Sequence, residues 1–295
     1  MPLQVRLVRL LALDLVMQTL ACSRTQVPAP SGQAPLHVDV IAVGQGDSIL
    51  LSAPSGKHLL IDGGESEASP AVLAALRQRG ACPLDMILLT HRHADHLGGL
   101  RKVVEDCGAR LFMDSGYPHP SLIYARLLEV LEKRQIPQYQ AEMGRQIDLG
   151  QGAILTLLGP PKPFIESSSD LVNANSVPSR LEIGRTSILF AADAEAQAEK
   201  RLTESKRALS STVLKVGHHG SRTSSTAVFL NAVSPHLALV SNAAGDAKHP
   251  HPETLERLKD VPVMQTAQEG TIHLDLDGDA VNFWTEKHPE PGRLP

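Results

Sequence analysis

The chain has 295 residues, of which 42% are hydrophobic and 20% are charged. This composition suits one large globular domain or two small ones, and it supplies enough apolar side chains for a buried core. The formal net charge of −4 excludes a whole-molecule field that would bind nucleic acid or an anionic membrane tightly without specificity, so any polyanionic partner must be bound locally.

Residues 1–22 have the layout of an export signal. Two arginines precede an apolar stretch that ends at Cys22, and residues 23–35 are rich in Pro, Ser, Gly and Gln, as in a flexible linker. We therefore expect a protein exported to the periplasm, the exterior or the cell envelope, with Cys22 as a candidate lipid anchor. Because Asp14 interrupts the apolar stretch, a misassigned start codon or an amphipathic N-terminal helix is the alternative. No other stretch predicts a transmembrane segment.

Strands and helices follow one another closely from residue 36. The predicted elements are, in chain order, strands LHVDVIAV, SILLSA and KHLLID, helix ASPAVLAALRQRG, strands LDMILLT and ARLFMD, helix SLIYARLLEVLEKR, strands AILTLLG, SRLEIG and TSILFA, helix AQAEKRL, strand TVLKV, helix STAVFLNAV, strand LALVS, helix PETLERL and a strand pair around TIHLDLDGDAVNFW. Residues 160–176 lack periodicity and predict a surface loop. The pattern indicates an α/β fold in which two sheets pack together and helices cover the outside.

The segment HRHADH, residues 91–96, directly follows the apolar strand LDMILLT. Residues two apart in an extended chain point to the same side, so His91 and His93 converge where the strand ends, and Asp95 and His96 begin the next helix. Imidazole and carboxylate ligands suit zinc, manganese or iron, and an open coordination position would make the site catalytic. The alternative is a set of solvated histidines on a turn.

These residues also carry a resemblance. THRHADH resembles the metal-binding motif of the metallo-β-lactamase superfamily. Further segments resemble, in matching order, the metallo-β-lactamase-like domain of ComEC-type competence proteins, namely VGQGDS (43–48), LLIDGG (59–64), NANS (173–176), FAADAE (190–195), LKVGHHGS (214–221) and HPHPETLERL (249–258). The resemblance covers about residues 36–285, without a sign of the ComEC membrane channel. It implies a four-layer αβ/βα sandwich, and we assign residues 36–288 to one hydrolase domain of that kind.

The resemblance also implies two divalent metal ions, Zn²⁺ or Mn²⁺. The ligands of one ion would be His91 and His93, and those of the second would be Asp95 and His96. Asp193 would bridge both ions, and a histidine of the pair His218 and His219 would complete the second site. Asp193 does lie just past the apolar strand TSILFA, although it could instead cap helix AQAEKRL.

Neighbouring residues of an extended chain point in opposite directions, so we expect one of His218 and His219 to bind metal, His219 by preference, and the other to contact substrate. Asp62 and Asp47 are expected to orient ligands rather than bind metal, with a tight turn as the alternative for Asp47. Between HRHADH, called the histidine motif below, and Asp193, the only histidine is His119. Its sequence surroundings indicate the start of a helix.

Three positions depart from the family pattern. Ala192 stands where a glycine is usual before the aspartate, and Gly217 stands where a proline is usual before HHGS. Pro178 breaks the strand that follows NANS. None of these changes removes an expected ligand.

A phosphodiester is favoured over a lactam as substrate. Ser221, Thr223 and Ser224 precede helix STAVFLNAV, where backbone N–H groups and the helix dipole attract phosphate, although a serine could simply cap that helix. Residues 193–224 contain six Lys or Arg against four Asp or Glu, which is weak support for DNA. His249 and His251 are candidate phosphate contacts or proton donors, with a helix start as the alternative.

Our leading hypothesis is an exported metal-dependent phosphodiesterase or nuclease that acts on DNA outside the cytoplasmic membrane. A metal-bound hydroxide would be the nucleophile, with Asp95 and His219 as the catalytic side chains. The alternatives are a hydrolase of a phosphocholine ester or lactone, and a non-catalytic nucleic-acid-binding module, which an aromatic content of 3% disfavours. No stable protein partner is predicted.

Cys82 and Cys107 bracket the histidine motif. They could form a disulfide in an oxidising compartment, or they could be two unrelated thiols.

Overall fold

A computed structural model describes residues 34–295. The expected export segment, Cys22 and most of the expected linker lie outside these residues. The strands are β1 (Leu36–Val40), β2 (Ile49–Ser52), β3 (His58–Ile61), β4 (Met86–Leu89), β5 (Phe112–Asp114), β6 (Gln138–Gln140), β7 (Gln146–Gly150), β8 (Ala153–Leu157), β9 (Ser179–Ile183), β10 (Thr186–Phe190), β11 (Val213–Lys215), β12 (Leu237–Val240), β13 (Val263–Gln265), β14 (Ile272–Leu276), β15 (Val281–Thr285) and β16 (Gly292–Leu294).

Helices connect these strands. They are α1 (Ser69–Gln78), α2 (Ala94–Leu97), α3 (Leu100–Asp106), α4 (Leu122–Lys133), α5 (Leu171–Ala174), α6 (Ala196–Glu204), α7 (Ala227–Val233), α8 (Pro252–Arg257) and α9 (Thr266–Glu269), with 3₁₀ turns at Ser66–Ala68 and Gly217–Gly220. No helix within residues 34–295 combines the length and apolar character that a membrane crossing needs.

Two mixed sheets form the centre of the domain. The nine-stranded sheet has the order β16-β15-β14-β1-β2-β3-β4-β5-β6, and the seven-stranded sheet has the order β13-β12-β11-β10-β9-β8-β7. Strands β3 to β6 run parallel, as do β10 to β13, whereas the other neighbours are antiparallel. The carboxyl ends of the parallel strands lead into the loops that carry the candidate site.

Three apolar cores separate four layers. Side chains from both sheets, such as Leu51 and Ile188, form the central core. The outer face of the nine-stranded sheet packs against helices α1, α3 and α4, and the outer face of the other sheet packs against α6 and α7. Since both faces of a central strand are covered, β4 has the fully buried sequence MILL. The predicted four-layer αβ/βα sandwich is therefore confirmed.

Four strands that the sequence pattern did not predict are β6, β7, β13 and β16, and they form the four edges of the two sheets. An edge strand pairs on one side only and can stay largely exposed, so it lacks the apolar signature of a central strand. All three residues of β6, for example, are exposed. Strand β16 also lies beyond residue 288, where the sequence placed the end of the domain.

Cys82 and Cys107 form a disulfide. It joins the segment that leads into β4 to the residue that follows α3, on either side of the histidine motif.

Candidate metal centre

The histidine motif begins where β4 ends. His91 is buried, and its Nε2 lies 3.6 Å from Oδ2 of Asp193. Directly after His93 the chain enters the short helix α2, which brings His96 to the same cluster, with its Nε2 3.4 Å from Oδ1 of Asp193. Histidine ligand atoms from both ends of the motif therefore meet one carboxylate.

Asp62 directly follows β3 and orients His96 and Thr90 through its carboxylate. Its carboxylate accepts hydrogen bonds from the backbone N–H and the hydroxyl of Thr90, both at 2.7 Å, and lies 2.8 Å from Nδ1 of His96. Because the Thr90 hydroxyl donates to Asp62, its oxygen accepts from Nδ1 of His91 at 3.0 Å. Both histidines then direct Nε2 toward Asp193, as metal-binding histidines do.

The second half of the cluster comes from the turn after β11. Nε2 of His219 lies 3.4 Å from Oδ2 of Asp95 and 3.7 Å from Oδ2 of Asp193. His218 is more peripheral, since its Nε2 lies 3.9 Å from Asp193 while its Nδ1 lies 3.2 Å from Oε1 of Glu195. This geometry favours His219 as the ligand of the pair.

His93 lies beside His91 at the outer side of the cluster. Their ring centroids are 4.8 Å apart, because His93 keeps the extended backbone that precedes α2. Its Nε2 lies 3.6 Å from Oδ2 of Asp170. The ligand atoms of His91, His96 and Asp193 lie within 4.8 Å of one another, so the structure adds His96 to the neighbours of His91.

Asp47 and Lys215 form a buried ion pair beside the cluster. The Lys215 ammonium lies 2.9 Å from Oδ1 of Asp47, which in turn lies 3.7 Å from Nδ1 of His219. Burial acts to raise the pKa of Asp47, but Lys215 and the nearby histidines outweigh it and lower that pKa. Lys215, counted in the sequence among the residues favouring DNA, is fully buried and contributes nothing to a basic surface.

The loop that carries Asp47 packs directly against the histidine motif. A Cβ atom at Gly46 would lie 1.9 Å from the Asp95 carbonyl oxygen, and the Asp47 backbone N–H donates to that oxygen at 3.2 Å. Only glycine permits this approach, which explains why GQGD accompanies HRHADH.

Backbone strain is also concentrated here. Asp62, Ala192, His218 and His219 all have φ between 46° and 57°, in the left-handed region that L-residues seldom adopt. Ala192 stands where the resembled family has glycine, the residue that adopts this conformation freely. Such strain persists only where the surrounding structure enforces it, as at binding sites.

The pKa shifts of the cluster indicate that its carboxylates favour bound positive charge. Burial acts to raise the pKa of Asp193, but His96 and two further histidines outweigh it and hold that pKa well below its ordinary value. Burial acts to lower the pKa of His96, but Asp193 and two further carboxylates raise it well above its ordinary value. The pKa of His91 is well below its ordinary value, because burial and His96 both disfavour another positive charge. A proton on His96 supplies charge that a cation could supply instead.

The donor set fits divalent metal. Four overlapping groups bring their ligand atoms within 4.8 Å of one another. Two of them are His91, His96 and Asp193, and Asp95, His96 and His219. Their contacts are longer than hydrogen bonds but close to the roughly 3.4 Å that separates ligand atoms around a tetrahedral ion with bonds of about 2.1 Å. Nε2 of His91 and Oδ1 of Asp193 are buried without hydrogen-bond partners.

The segment after His219 forms one rim of the site. The Thr223 hydroxyl donates to Oε1 of Glu195 at 2.8 Å and lies 2.9 Å from the Ser221 hydroxyl, at a position open to solvent. Ser224 differs, since it is fully buried and its hydroxyl donates to the Gly217 carbonyl at 2.7 Å. Its hydroxyl therefore has no access to a substrate, which corrects the prediction that Ser224 contacts one.

The N-terminus of α7 does not offer the expected phosphate site. The backbone N–H groups of Ser225 and Thr226 both donate to the Glu199 carboxylate, from helix α6. Because Glu199 is buried there and carries the acidic group that a helix N-terminus favours, a phosphate has no room at this position.

Of the remaining candidate histidines, two lie near the cluster. The His249 ring stacks on His218 with centroids 5.8 Å apart, and its Nδ1 lies 3.0 Å from Oδ2 of Asp246. The His119 ring lies 6.0 Å from that of His93, just before α4. His251 instead caps α8, because its Nδ1 accepts the Glu253 backbone N–H at 3.3 Å. This role fits the helix-start alternative rather than a substrate contact.

Sequence reasoning missed Lys215, Glu195 and Asn173 as parts of the site. Asn173 Nδ2 lies 3.5 Å from the ring nitrogens of His218, and its Oδ1 is buried without a partner. The motifs FAADAE, LKVGHHGS and NANS already contained these residues. Their side-chain partners, however, lie far away in the sequence.

Comparison with known proteins agrees with this architecture. Residues 41–164 match the family model described as the metallo-beta-lactamase superfamily. The chain is 31% identical over 265 residues to competence protein ComA of Neisseria gonorrhoeae, an alignment that covers 85% of this chain and 35% of ComA. It is 26% identical over 259 residues to ComE operon protein 3 of Bacillus subtilis, covering 80% of this chain and 32% of that protein.

The chain thus spans about a third of the length of these two relatives. The crystal structure of CmlA, a diiron β-hydroxylase from Streptomyces venezuelae, superposes with a TM-score of 0.55 at 16% identity, over 82% of this chain and 54% of CmlA. At this identity the likeness concerns the fold alone. The family expected from the motifs is confirmed: the chain belongs to the metallo-β-lactamase superfamily and is similar, over most of its length, to one part of ComEC-type competence proteins.

Proposed function

We propose that this protein is a metal-dependent phosphodiesterase that hydrolyses DNA, with two divalent ions, Zn²⁺ or Mn²⁺, in the candidate metal centre. The observation that carries the proposal is the meeting of two overlapping ligand groups around the buried Asp193. The first group would hold one ion through His91, His96 and Asp193. Asp95 and His219 would hold the second together with Asp193, and His93, whose ring lies 4.8 Å from that of His91, would complete the first.

Bound metal ions would supply an activated water at neutral pH and positive charge for the oxygens of a phosphodiester. The protein's own residues would fix their positions. Asp62 and Thr90 hold His96 and His91, and the Lys215–Asp47 pair lies behind His219.

Asp95 and His219 are the proposed catalytic side chains. The Asp95 side chain is 24% exposed, whereas those of His91, His96 and Asp193 are at most 2% exposed. Asp95 is therefore the proposed ligand that reaches toward the opening, where a substrate phosphate would enter. Ser221, Thr223, His218 and His249 line the same rim and can donate hydrogen bonds to phosphate oxygens.

DNA is the proposed substrate because one relative, competence protein ComA of Neisseria gonorrhoeae, is named for competence, the capacity of bacteria to take up DNA. The disulfide between Cys82 and Cys107 supports the proposed location outside the cytoplasm, since disulfides persist in oxidising compartments. This support is independent of the export signal expected in residues 1–22.

The direct test uses the full chain after chelation and readdition of Zn²⁺ or Mn²⁺. Linear single-stranded DNA, double-stranded DNA and bis-p-nitrophenyl phosphate are offered as substrates. We expect cleavage that depends on metal and is abolished in Asp95→Ala and Asp193→Ala. Asp260→Ala serves as a matched control, because Asp260 is an exposed aspartate outside the centre.

If metal binds but none of these diesters is cut, the proposed reaction is wrong. Lactones and phosphocholine esters would then be the next substrates to test. DNA binding without hydrolysis would indicate a nucleic-acid-binding module instead.

A further inference from the structure

We infer that the cleft between the 160–170 loop and helix α6 binds a single-stranded segment of nucleic acid next to the metal centre, with Tyr117 and Phe164 as the stacking surface for its bases. This inference rests on the proposed function and names the form of DNA that the site accepts.

The 160–170 loop links the cleft to the centre. At the end of the loop, the Ser169 hydroxyl donates to Oε2 of Glu195 at 3.2 Å, and Oδ2 of Asp170 lies 3.6 Å from Nε2 of His93. Helix α6 begins directly after Glu195, whose other carboxylate oxygen contacts His218. Both walls of the cleft therefore start at residues that contact His93 and His218, at the rim of the candidate metal centre.

The cleft has a volume of about 600 Å³. Loop residues such as Phe164 and Ser167 form one wall, and Gln197, Lys200 and Arg201 of α6 form the other. The Lys200 side chain is 74% exposed, so its ammonium can reach a phosphate group in the cleft. Phe164, two cationic side chains and the two carboxylates of Glu166 and Glu204 thus line the cleft.

Phe164 lines the cleft, and the ring of Tyr117 packs against it. Tyr117 and Phe164 pack edge to face with centroids 5.2 Å apart, and the Lys162 ammonium lies 3.4 Å from the Phe164 centroid. Neither ring belongs to the three apolar cores, and both are partly exposed. The chain has only nine Phe, Tyr and Trp residues, so core packing does not explain two of them together on a rim.

The segment that carries Tyr117 also reaches His93, at the rim of the centre. Tyr117 lies two residues before His119, whose ring is 6.0 Å from that of His93. A strand with a phosphate at the metal centre could therefore place a neighbouring base on these rings. Partly exposed aromatic rings beside cationic side chains are the combination that binds unpaired bases and their phosphates. In a duplex the base faces are stacked and unavailable, so this surface selects single strands.

Binding can be measured without hydrolysis. A fluorescein-labelled oligonucleotide of about 12 nucleotides, as a single strand and as a duplex, is titrated with the full chain in the presence of a chelator, and anisotropy gives Kd. We expect tighter binding of the single strand and a roughly tenfold higher Kd for Tyr117→Ala and for Phe164→Ala. Tyr139→Ala is the matched control, since Tyr139 is 51% exposed on β6 and does not line the cleft.

A second pair of variants tests the phosphate contact expected of Lys200 in α6. Lys200 and Lys259 are both exposed and both lie near a glutamate of their own helical segment, at 3.9 and 3.1 Å. Loss of one phosphate contact should reduce the slope of log Kd against log salt by about 0.7 for a single strand. We expect this reduction in Lys200→Gln and not in Lys259→Gln.

The outcomes separate the two proposals. If the native chain cuts a diester but the Tyr117 and Phe164 variants bind the single strand as tightly as the native chain, the cleft inference is wrong and the phosphodiesterase proposal stands. If these variants weaken single-strand binding but the native chain cuts no diester, the result would support the cleft inference and contradict the phosphodiesterase proposal. Equal affinity for duplex and single strand would also overturn the inference. Phe164→Leu, which keeps an apolar side chain, guards against a folding defect in Phe164→Ala.

Discussion

Two buried aspartates, Asp39 and Asp193, are each surrounded by basic side chains, but their contacts differ. Asp39 accepts hydrogen bonds from Nε and Nη2 of Arg79 at 2.8 and 2.7 Å, and Nδ1 of His273 lies 2.7 Å from the same carboxylate. Asp193 has four histidines around it at 3.4 to 3.9 Å, and its Oδ1 has no hydrogen-bond partner.

The difference separates a structural ion pair from a binding site. Around Asp39 every charge is matched by direct hydrogen bonds, so nothing further is needed for stability. Around Asp193 the ligand atoms are arranged about a common space, and their mutual distances suit contact with a cation rather than with each other. Breaking the first cluster should therefore affect folding, and breaking the second should affect metal binding and chemistry.

The largest effect is expected for Asp193→Ala. Diester hydrolysis should fall by at least about 10³-fold, since positive charge at the phosphate contributes several kcal/mol to the transition state. Metal content, measured by inductively coupled plasma mass spectrometry, should also fall. Full metal content and rate in this variant would contradict the assignment.

Asp39→Ala should have the opposite profile. Removing one partner from a buried ion pair leaves Arg79 and His273 without their acceptor, and we expect the free energy of unfolding to fall by about 3 kcal/mol in urea denaturation. Metal content and the rate constant of diester hydrolysis should match those of the native protein. A stable variant with altered metal content would show that the two clusters are coupled.

An intermediate effect is expected for Lys215→Met, since the ion pair of Lys215 and Asp47 lies beside the candidate metal centre. Loss of Lys215 leaves Asp47 buried without its cation, so the carboxylate that faces His219 is no longer held in place. We expect roughly 10- to 100-fold weaker binding of one metal ion, as for other groups that orient ligands. Titration with Co²⁺ should show a changed visible spectrum as well, and an unchanged spectrum and affinity would assign the pair to folding alone.

The smallest effect concerns Glu199, a buried carboxyl outside both clusters. Burial raises its pKa to about 7 from an ordinary value of 4.5, although the N–H groups of Thr226 and Ser225 oppose the increase. The folded protein therefore binds this proton more tightly than the unfolded chain. The resulting stabilisation is complete below about pH 4.5 and is lost as the pH rises through about 7.

Urea denaturation at several pH values in this window measures the slope. Glu199→Gln, which does not titrate, should show a smaller decrease in stability with rising pH than the native protein. Equal slopes would mean that the Glu199 carboxylate is ionised throughout the window.

Much of the fold could be predicted because its central elements have local signatures. Strands such as β4 and β10 are continuous apolar runs, and α1 ends before Gly80, where a helix stop was expected. The four edge strands could not be predicted, since their pairing depends on a neighbour rather than on their own pattern. Within the candidate site, Ser224 and His251 were expected to contact substrate, but burial and helix capping use their polar atoms instead.

The sequence by itself determined the family, the layered architecture and the residues available as ligands, because a strand followed by HRHADH places them locally. Only the tertiary structure decided which of them meet. Ligand atoms of His91 and His96 meet at Asp193, Glu199 fills the N-terminus of α7, and Lys215 pairs with Asp47 across 168 positions of sequence. These contacts join distant segments, and their geometry depends on how the two sheets pack, which no local pattern encodes.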